Sequence, residues 1–347
     1  MGHKHIYEAI DRTLRSVRGT DSPMGGLCTI FAGDWRQCLP IIHGAGEAQV
    51  VNACLKNSYL WRNVTVLHLK ENMRVLTSGS TEVAAHSQWL LDVGDGQCGE
   101  GELSIPPSMN TDQETIESLV DFVFPDLSTK FRDLAWVSKR AIMSPTNKEV
   151  EEVNDFVIKM IPGEQVDFKS IDDTEEGNSD YTPEFLNTIE MSGMPPHLLK
   201  LKKGAMVILL RNMDLNNGHC NGVKYVVQNI KPHLLELKAI SGTNVGKFLL
   251  LPRILSISKS ASLPFTMRRK QFPIKLSYGL SANKAQGQTL ERAGIYLGQD
   301  FFSHGQAYVA FSRVGDKNNI KVLKRRGLGD SKRPCMMKNV VFKSVLV

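Results

Sequence analysis

The sequence predicts an α/β protein, two domains in length, with a small antiparallel β-barrel inserted into the second. Three observations predict it. A strand-loop-helix unit stands at residues 141–161, where an apolar run ends at a proline and apolar positions then recur at spacings of three and four. From residue 201 the texture changes to short strand-like runs separated by Asn-Gly and glycine-rich turns. The chain has 347 residues, and at roughly 150 residues per domain that length favours two domains.

In chain order, residues 27–32 form a short apolar run that stops at Gly33-Asp34, which reads as a buried strand feeding a functional loop. Residues 64–69 and 141–144 are further strand candidates, the second closed by Pro145. Asn147 can cap the helix that Val150, Val153, Val157, Met160 and Ile161 describe, and Pro162-Gly163 stops it. Residues 164–192 are acidic and aperiodic and read as an exposed connection. The runs 205–210, 223–230, 234–240 and 247–254, separated by Asn217-Gly218, Asn221-Gly222 and residues 242–246, make the barrel. Residues 274–278, a polar loop, a helix from about Lys284 and a strand at 295–297 then restore the α/β pattern. No internal repeat or low-complexity stretch interrupts this order.

Composition excludes several classes. Apolar residues make up 41% and charged residues 22%, ordinary for a globular chain and unlike a collagen, coiled coil or disordered protein. The apolar run 205–210 is far short of the roughly 18 residues that span a bilayer. The start of the chain has no apolar signal core, and Ile6 stands where a myristoylation motif needs Ser or Thr. The six cysteines include no C-x-x-C pair, which argues against a disulfide framework and a zinc site and fits a reducing compartment. Charge is divided unevenly. Residues 1–200 hold 17 Lys+Arg against 30 Asp+Glu, whereas residues 201–347 hold 25 against 6, a net charge of +19. Such an excess suits contact with a polyanion, or a basic surface that faces the acidic half.

Four segments carry candidate chemistry. Gly33-Asp34-Trp35-Arg36-Gln37-Cys38-Leu39-Pro40 follows the first strand candidate at the edge where ligands bind in open parallel sheets. Asp34, Arg36 and Gln37 can there reach a phosphate, a metal-bound water or another loop, or simply form a structural turn. Ser281 to Thr289 again joins a strand to a helix that Ser281 can cap. The Ser281-x-x-Lys284 fragment also matches a β-lactamase nucleophile motif, whose S-D-N and K-T-G partners do not accompany it. Ala307 to Arg313 makes an apolar helix ending in a cation, either a surface salt bridge or a planar fork held toward a phosphate. Gly242 to Lys247 imitates a P-loop but is one residue short and has Phe248 where Ser or Thr is needed, so a hairpin turn is the better reading. His3 and His5 are too isolated for a metal site.

Taken together these segments resemble the petite-integration-frequency (PIF) family of superfamily-one DNA helicases, especially the variant carried by Helitron-type transposons. Residues 33–40 look like the family's third helicase motif, Glu71-Asn72-Met73-Arg74 like the fourth, residues 281–290 like the fifth and 306–313 like the sixth. Arg211-Asn212-Met213-Asp214 through Cys220-Asn221-Gly222 resembles the start of the family's inserted SH3-like barrel. The sequence has neither G-x-x-x-x-G-K-[ST] nor an Asp-Glu pair followed closely by Met, and Met1-Gly2-His3-Lys4 resembles the residues that begin with that Met. The chain is therefore expected to be N-terminally incomplete. Ser281 replaces the usual Thr and Ala285 the usual Ser, both small.

The resemblance implies RecA-like P-loop NTPase helicase domains, the first one partial, with the SH3-like barrel inserted. Residues 1–68 would be the remnant of the first domain, 69–199 and 266–330 the second, 200–265 the barrel and 331–347 a tail. It implies ATP-dependent 5′-to-3′ DNA unwinding, with ATP and Mg2+ as cofactors and the metal ligands outside this sequence. Gln37 would orient the attacking water or the γ-phosphate, while Arg74 and Arg313 would meet the charge of the transferred phosphoryl group. Asp34, Gln286 and Gly287 would complete the ATP site. Single-stranded DNA and DNA junctions are the implied partners, touched by Arg268, Arg269, Lys270, Ser281, Asn283 and Lys284. Lys324-Arg325-Arg326 and Lys332-Arg333 read as a nuclear import signal, a further DNA contact or a solvated tail, and the nucleus is the expected compartment. A non-catalytic nucleic-acid-binding remnant is the alternative.

Overall fold

The structure is a computed structural model that describes residues 2–42, 44–99, 101–175, 181–191, 193–259, 263–325 and 335–346. Its regular elements include a four-stranded sheet in the order Gly279–Ser281, Arg140–Ser144, Arg292–Leu297, Ile320–Lys324. The last two strands run parallel, with Ile295 opposite Val322. The α/β class thus holds, and the strands expected at 141–144 and 295–297 form. The chain divides into two compact units.

The first unit comprises Met1–Glu114, Met143–Thr146 and Ser281–Val347. Its opening helix, Lys4–Arg18, begins where the His3 side chain accepts from the His5 amide and ends at Gly19, whose left-handed φ of 60° lets the chain turn out of the helix. A second long helix, Thr81–Asp95, packs against the short helix Gln306–Phe311, with Trp89 and Phe311 edge to face at 5.1 Å. Strand Met336–Lys338 pairs antiparallel with Glu102–Ser104 and carries the C-terminal segment across this unit.

Three expectations fail here. Residues 27–32 and 64–69 have no regular secondary structure and join no sheet among the described residues, and Ile30 and Leu67 are 89% and 86% exposed. Apolar runs supply strand-like side chains, but a strand exists only when a neighbouring backbone completes its ladder. The helix expected from Lys284 is instead a single 3-10 turn, Ala282–Ala285. Ser281 makes no side-chain cap there, and Gly287 at a φ of 80° diverts the chain two residues on.

The second unit comprises Thr115–Ile142 and Asn147–Leu280. Helix Asn147–Met160 forms as its periodicity predicts, burying Val150, Val153 and Val157. The barrel strands form one antiparallel sheet in the order Ile274–Leu276, Met206–Leu209, Lys224–Ile230, Leu234–Ala239, Phe248–Pro252. Alternation along Leu234–Ala239 buries Leu235, Leu237 and Ala239 on one face. The turn after it closes a hairpin, with the Gly246 amide donating to Ala239 O, as the failed P-loop resemblance requires. Ile274–Leu276, read from sequence as a return to the α/β pattern, belongs to this sheet through pairing with Met206–Leu209.

The connection expected at 164–192 is also more ordered than its composition suggests. Val166–Lys169 pairs with Leu198–Leu201, and Ile171–Thr174 joins Ile254–Lys259 and Thr266–Gln271 in a three-stranded sheet. Acidic residues survive in that sheet because Arg269 lies directly opposite Asp172 and binds it. Charge complementarity across the ladder, invisible to a periodicity argument, replaces hydrophobic alternation.

No helix among the described residues is long and apolar enough to cross a membrane, and all six cysteines are free thiols.

Candidate functional site

The site is built on a tight turn. The Gln37 amide donates to Asp34 O at 3.1 Å, and Asp34 Oδ1 accepts from the Arg36 amide at 3.0 Å, so the Asp34 side chain reproduces a backbone turn. Arg36 leaves this turn sideways. Its Nε and Nη2 donate to the two carboxylate oxygens of Asp95 at 2.6 and 3.1 Å, a bidentate pair that raises the guanidinium pKa chiefly through those hydrogen bonds. Of the roles open to Arg36, the structure shows the grip on another element. Gly94 accommodates the pair, because a Cβ there would lie 2.7 Å from Arg36 Cδ.

Gln37 points the other way. Its Nε2 lies 3.4 Å from Asp34 Oδ2, and its Oε1 accepts from Gln286 Nε2 at 3.0 Å. The 281–289 loop therefore meets the 34–37 turn through a pair of amides. One residue on, the Cys38 thiol donates to Asn283 Oδ1 at 3.3 Å, and burial pushes that thiol up to about 11, so it stays protonated at neutral pH. Asn283 Oδ1 also accepts from Gln306 Nε2 at 3.2 Å, and Gln306 Oε1 accepts from the amides of Phe302 and Ser303. Gln306 thereby closes the start of the helix that leads to Arg313.

Arg313 is buried, so it is not a surface salt bridge. Its Nε donates to Val309 O at 2.7 Å, its Nη1 to Gln288 O at 3.0 Å and, at 3.5 Å, to Ala285 O, and its Nη2 to Ser312 Oγ at 2.8 Å. The planar fork thus ties the helix end to the same loop that Gln37 reaches through Gln286. Asp34, Gln37, Gln286 and Arg313, expected together, lie in one connected network, and Gly287 sits exposed at the tip of that loop. Tyr308 joins from the helix. Burial, and then the charge of Asp34 and a hydrogen bond to it, push its phenol up to about 12.

The remaining expected residues fare differently. Arg74 lies in helix Met73–Ser78, and its side chain is outside the described residues. Ser281 is half-buried and Lys284 exposed. Arg268 is half-buried opposite Asp173, and Lys270 is exposed opposite Ile171. Arg269 corrects its expectation. It is 1% exposed, with Nε and Nη2 on the Asp172 carboxylate at 2.9 and 2.7 Å and further bonds to Pro195 O and Leu186 O, so its donors are consumed inside the second unit. Lys324 holds Asp300 Oδ1 at 2.8 Å, while Arg326, Lys332 and Arg333 lie outside the described residues.

Asp95, Tyr308 and His304 escaped the sequence reading. Asp95 carries no motif signal, since its partner Arg36 is 59 residues away. His304 stood next to the recognised 306–313 segment and was legible only as a neighbour. Among the described residues no group of three or more His, Cys, Asp or Glu is placed to hold a metal ion, and Asp34 is committed to its own turn. These residues do not fit a magnesium site, whereas the amides of Gln37 and Gln286 and the Arg313 fork suit phosphate oxygens.

Comparison with known proteins finds similarity to DNA helicases. The family model described as PIF1-like helicase matches residues 1–103, and that described as DNA helicase Pif1, 2B domain, matches residues 184–230. The ATP-dependent DNA helicase PIF1 of Danio rerio is 27% identical over 323 residues, covering 93% of this chain and 45% of the relative. Its Homo sapiens counterpart is 25% identical over 324 residues, covering 92% and 44%. The chain thus spans less than half the length of these relatives. In fold it is similar to Bacteroides Pif1 bound to ssDNA, with a TM-score of 0.63, 20% identity and coverage of 94% of this chain and 69% of that one. Pif1 helicase from Candida albicans gives a TM-score of 0.59 at 20% identity, covering 100% and 73%. In sequence and in fold the chain is thus similar to PIF1-type DNA helicases.

Proposed function

We propose that this chain is the motor portion of an ATP-dependent DNA helicase of the Helitron-like PIF type, moving 5′ to 3′ on single-stranded DNA in the nucleus. The observation that carries the reading is the convergence of Gln37 and Arg313, from two separated segments, on the loop that carries Gln286. Phosphoryl transfer asks the protein mainly for positioned donors around spreading negative charge. In this reading Gln37 orients the attacking water or the γ-phosphate, and Gln286 and Gly287 line the nucleotide. Arg313 turns its fork from loop carbonyls to the γ-phosphate, and Arg74 adds a second cation. Ser281, Asn283 and Lys284, with Arg268 and Lys270, take the DNA backbone, and Arg269 is left to its structural pair. ATP is the energy source. No step is assigned to Mg2+, for which these residues build no site.

A second reading is favoured by one observation. The sequence contains no G-x-x-x-x-G-K-[ST] cradle for a β-phosphate, so a nucleic-acid-binding chain without turnover fits it equally well. Phosphate release separates the two. The purified chain with ATP and single-stranded DNA should show no helicase-like turnover. A longer polypeptide that supplies the cradle and the Asp-Glu pair ahead of residue 1 should turn over ATP on DNA addition, and Arg313→Ala should lower its kcat by about a hundredfold or more. Absence of DNA-stimulated turnover in that longer protein would leave the binding-only reading.

A further inference from the structure

His304 is fully buried and makes two hydrogen bonds of opposite kind. Nε2 lies 2.8 Å from Trp35 O, an atom that only accepts, so Nε2 carries the proton; Nδ1 takes the Phe342 amide at 2.8 Å, so Nδ1 carries none. These partners fix a neutral imidazole in one tautomer. One bond goes to the residue before Arg36 and Gln37, and the other to the C-terminal segment that follows strand Met336–Lys338. Phe342 also stacks on the ring, centroids 5.3 Å apart at 28°.

The neighbouring backbone repeats the connection. The Gly305 amide donates to Val340 O at 3.2 Å. A Cβ at Gly305 would stand 2.5 Å from Arg36 O and 2.6 Å from Gln37 C, so the main chain at 305 is pressed against the main chain of the turn. The C-terminal segment is in turn fastened at Asn339, whose Nδ2 donates to Val93 O, and at Val345, which packs with Leu39 and Cys54 while its carbonyl accepts from Lys56 Nζ. Residues 304–305 therefore touch the turn that carries Gln37, start the helix that leads to Arg313, and receive the end of the chain.

We propose that His304 is a positioning residue, whose single-tautomer imidazole sets the Gln37 turn in register with the Arg313 helix and takes its own orientation from the C-terminal segment 335–346. The proposal rests on the phosphate-recognition reading of Gln37 and Arg313 and names what holds those two residues together. Its consequence is coupling. Loosening the C-terminal segment disturbs the Gln37 turn through the ring, and loosening the turn releases Phe342.

Amide hydrogen exchange on the intact chain tests it. In His304→Ala the amides of Phe342, Gly305 and Gln37 should exchange together, about tenfold or more faster than in the unaltered chain, while helix Lys4–Arg18 keeps its protection. His304→Gln offers one donor and one acceptor and should restore most of the protection at all three. If Phe342 alone accelerates, the imidazole merely tethers the tail and the proposal falls. Should His304→Ala fail to fold, 15N NMR of the unaltered chain still decides: a proton on Nε2 and none on Nδ1 at neutral pH is expected, and the opposite tautomer overturns the proposal. DNA affinity of the same proteins reports separately on the helicase reading, since loss of binding with coupling intact would count against that reading alone.

Discussion

Gln37 and Gln286 stand 249 positions apart in the sequence and share a side-chain hydrogen bond of 3.0 Å. Each amide has a spare donor or acceptor, so the bond is exchangeable for a phosphate oxygen or a water without stranding a buried group. Arg313 meets the same loop differently, buried and donating through Nη1 to Gln288 O and Ala285 O.

A double-mutant cycle should detect this pair. Gln37→Ala and Gln286→Ala should each lower stability by about 0.5–1.5 kcal/mol, and the double substitution by less than the sum, because one interaction is removed twice. Urea unfolding of the four proteins measures it. Strict additivity would mean that the two amides do not interact in solution.

Single-stranded DNA binding should weaken steeply with salt, because phosphate contacts release counterions. Lys284 is exposed on the 281–289 loop, and Lys284→Ala should reduce the slope of log K against log salt by about 1 while weakening binding alike for every sequence. Fluorescence anisotropy with two unrelated oligonucleotides checks both parts. A sequence-dependent loss, or an unchanged slope, would remove Lys284 from the interface.

What the sequence made legible follows from what each kind of signal encodes. Helix Asn147–Met160 and the alternating strand Leu234–Ala239 were readable because burial on one face imprints a period. The 34–40 and 306–313 segments were readable as motifs, and their Gln and Arg do meet a common loop. Ladder partners leave no such imprint. That is why residues 27–32 read as a buried strand and Ile171–Thr174 as an open connection. For the same reason Arg268, Arg269 and Lys270 looked alike in the sequence, yet the middle one turns inward to Asp172. Asp95 and His304 act through partners 59 and 269 residues distant, a spacing that no local pattern records.

The Arg269–Asp172 pair makes the next prediction. Both side chains are almost wholly withdrawn from water, so removing one partner strands a buried charge. Arg269→Ala should destabilise the protein by about 3–5 kcal/mol, and Arg269→Met combined with Asp172→Leu by much less. Lys270→Ala, at an exposed site, should leave the thermal midpoint nearly unchanged. If Arg269→Ala lowered DNA affinity with unaltered stability, the residue would be a DNA contact after all.

Acid should weaken the fold through His304. Burial holds its pKa below the ordinary value, against the Trp35 carbonyl and the carboxylates of Glu47 and Asp34, which pull it up. The folded state therefore resists protonation while the unfolded chain takes a proton near pH 6.5. Stability from this group is complete above that pH and falls as pH drops below it, by at most about 1.4 kcal/mol per pH unit. His86 is shifted the same way, chiefly by burial, so His304→Gln should flatten only part of the slope between pH 6.5 and 5. Denaturant melts across that window measure the difference, and an unchanged slope would show that His304 does not titrate with folding.

Two glycines separate backbone strain from steric contact. Gly287 and Gly305 both hold left-handed backbones, with φ of 80° and 74°, so alanine at either pays roughly 1–2 kcal/mol for the conformation alone. At Gly287 a Cβ would meet nothing within 4 Å, whereas at Gly305 it would lie 2.5 Å from Arg36 O, a main-chain atom that moves only if the Gln37 turn moves with it. Gly287→Ala should therefore cost no more than the conformational amount. Gly305→Ala should cost clearly more, and it should also change the environment of the Gln37 side-chain amide, visible as a shift in its NMR signal. Equal costs at the two sites, with an unperturbed Gln37 signal, would show that residues 304–305 do not bear on the turn. A larger cost confined to Gly305 together with a displaced Gln37 signal would mean that the start of the Arg313 helix and the Gln37 turn move as one body.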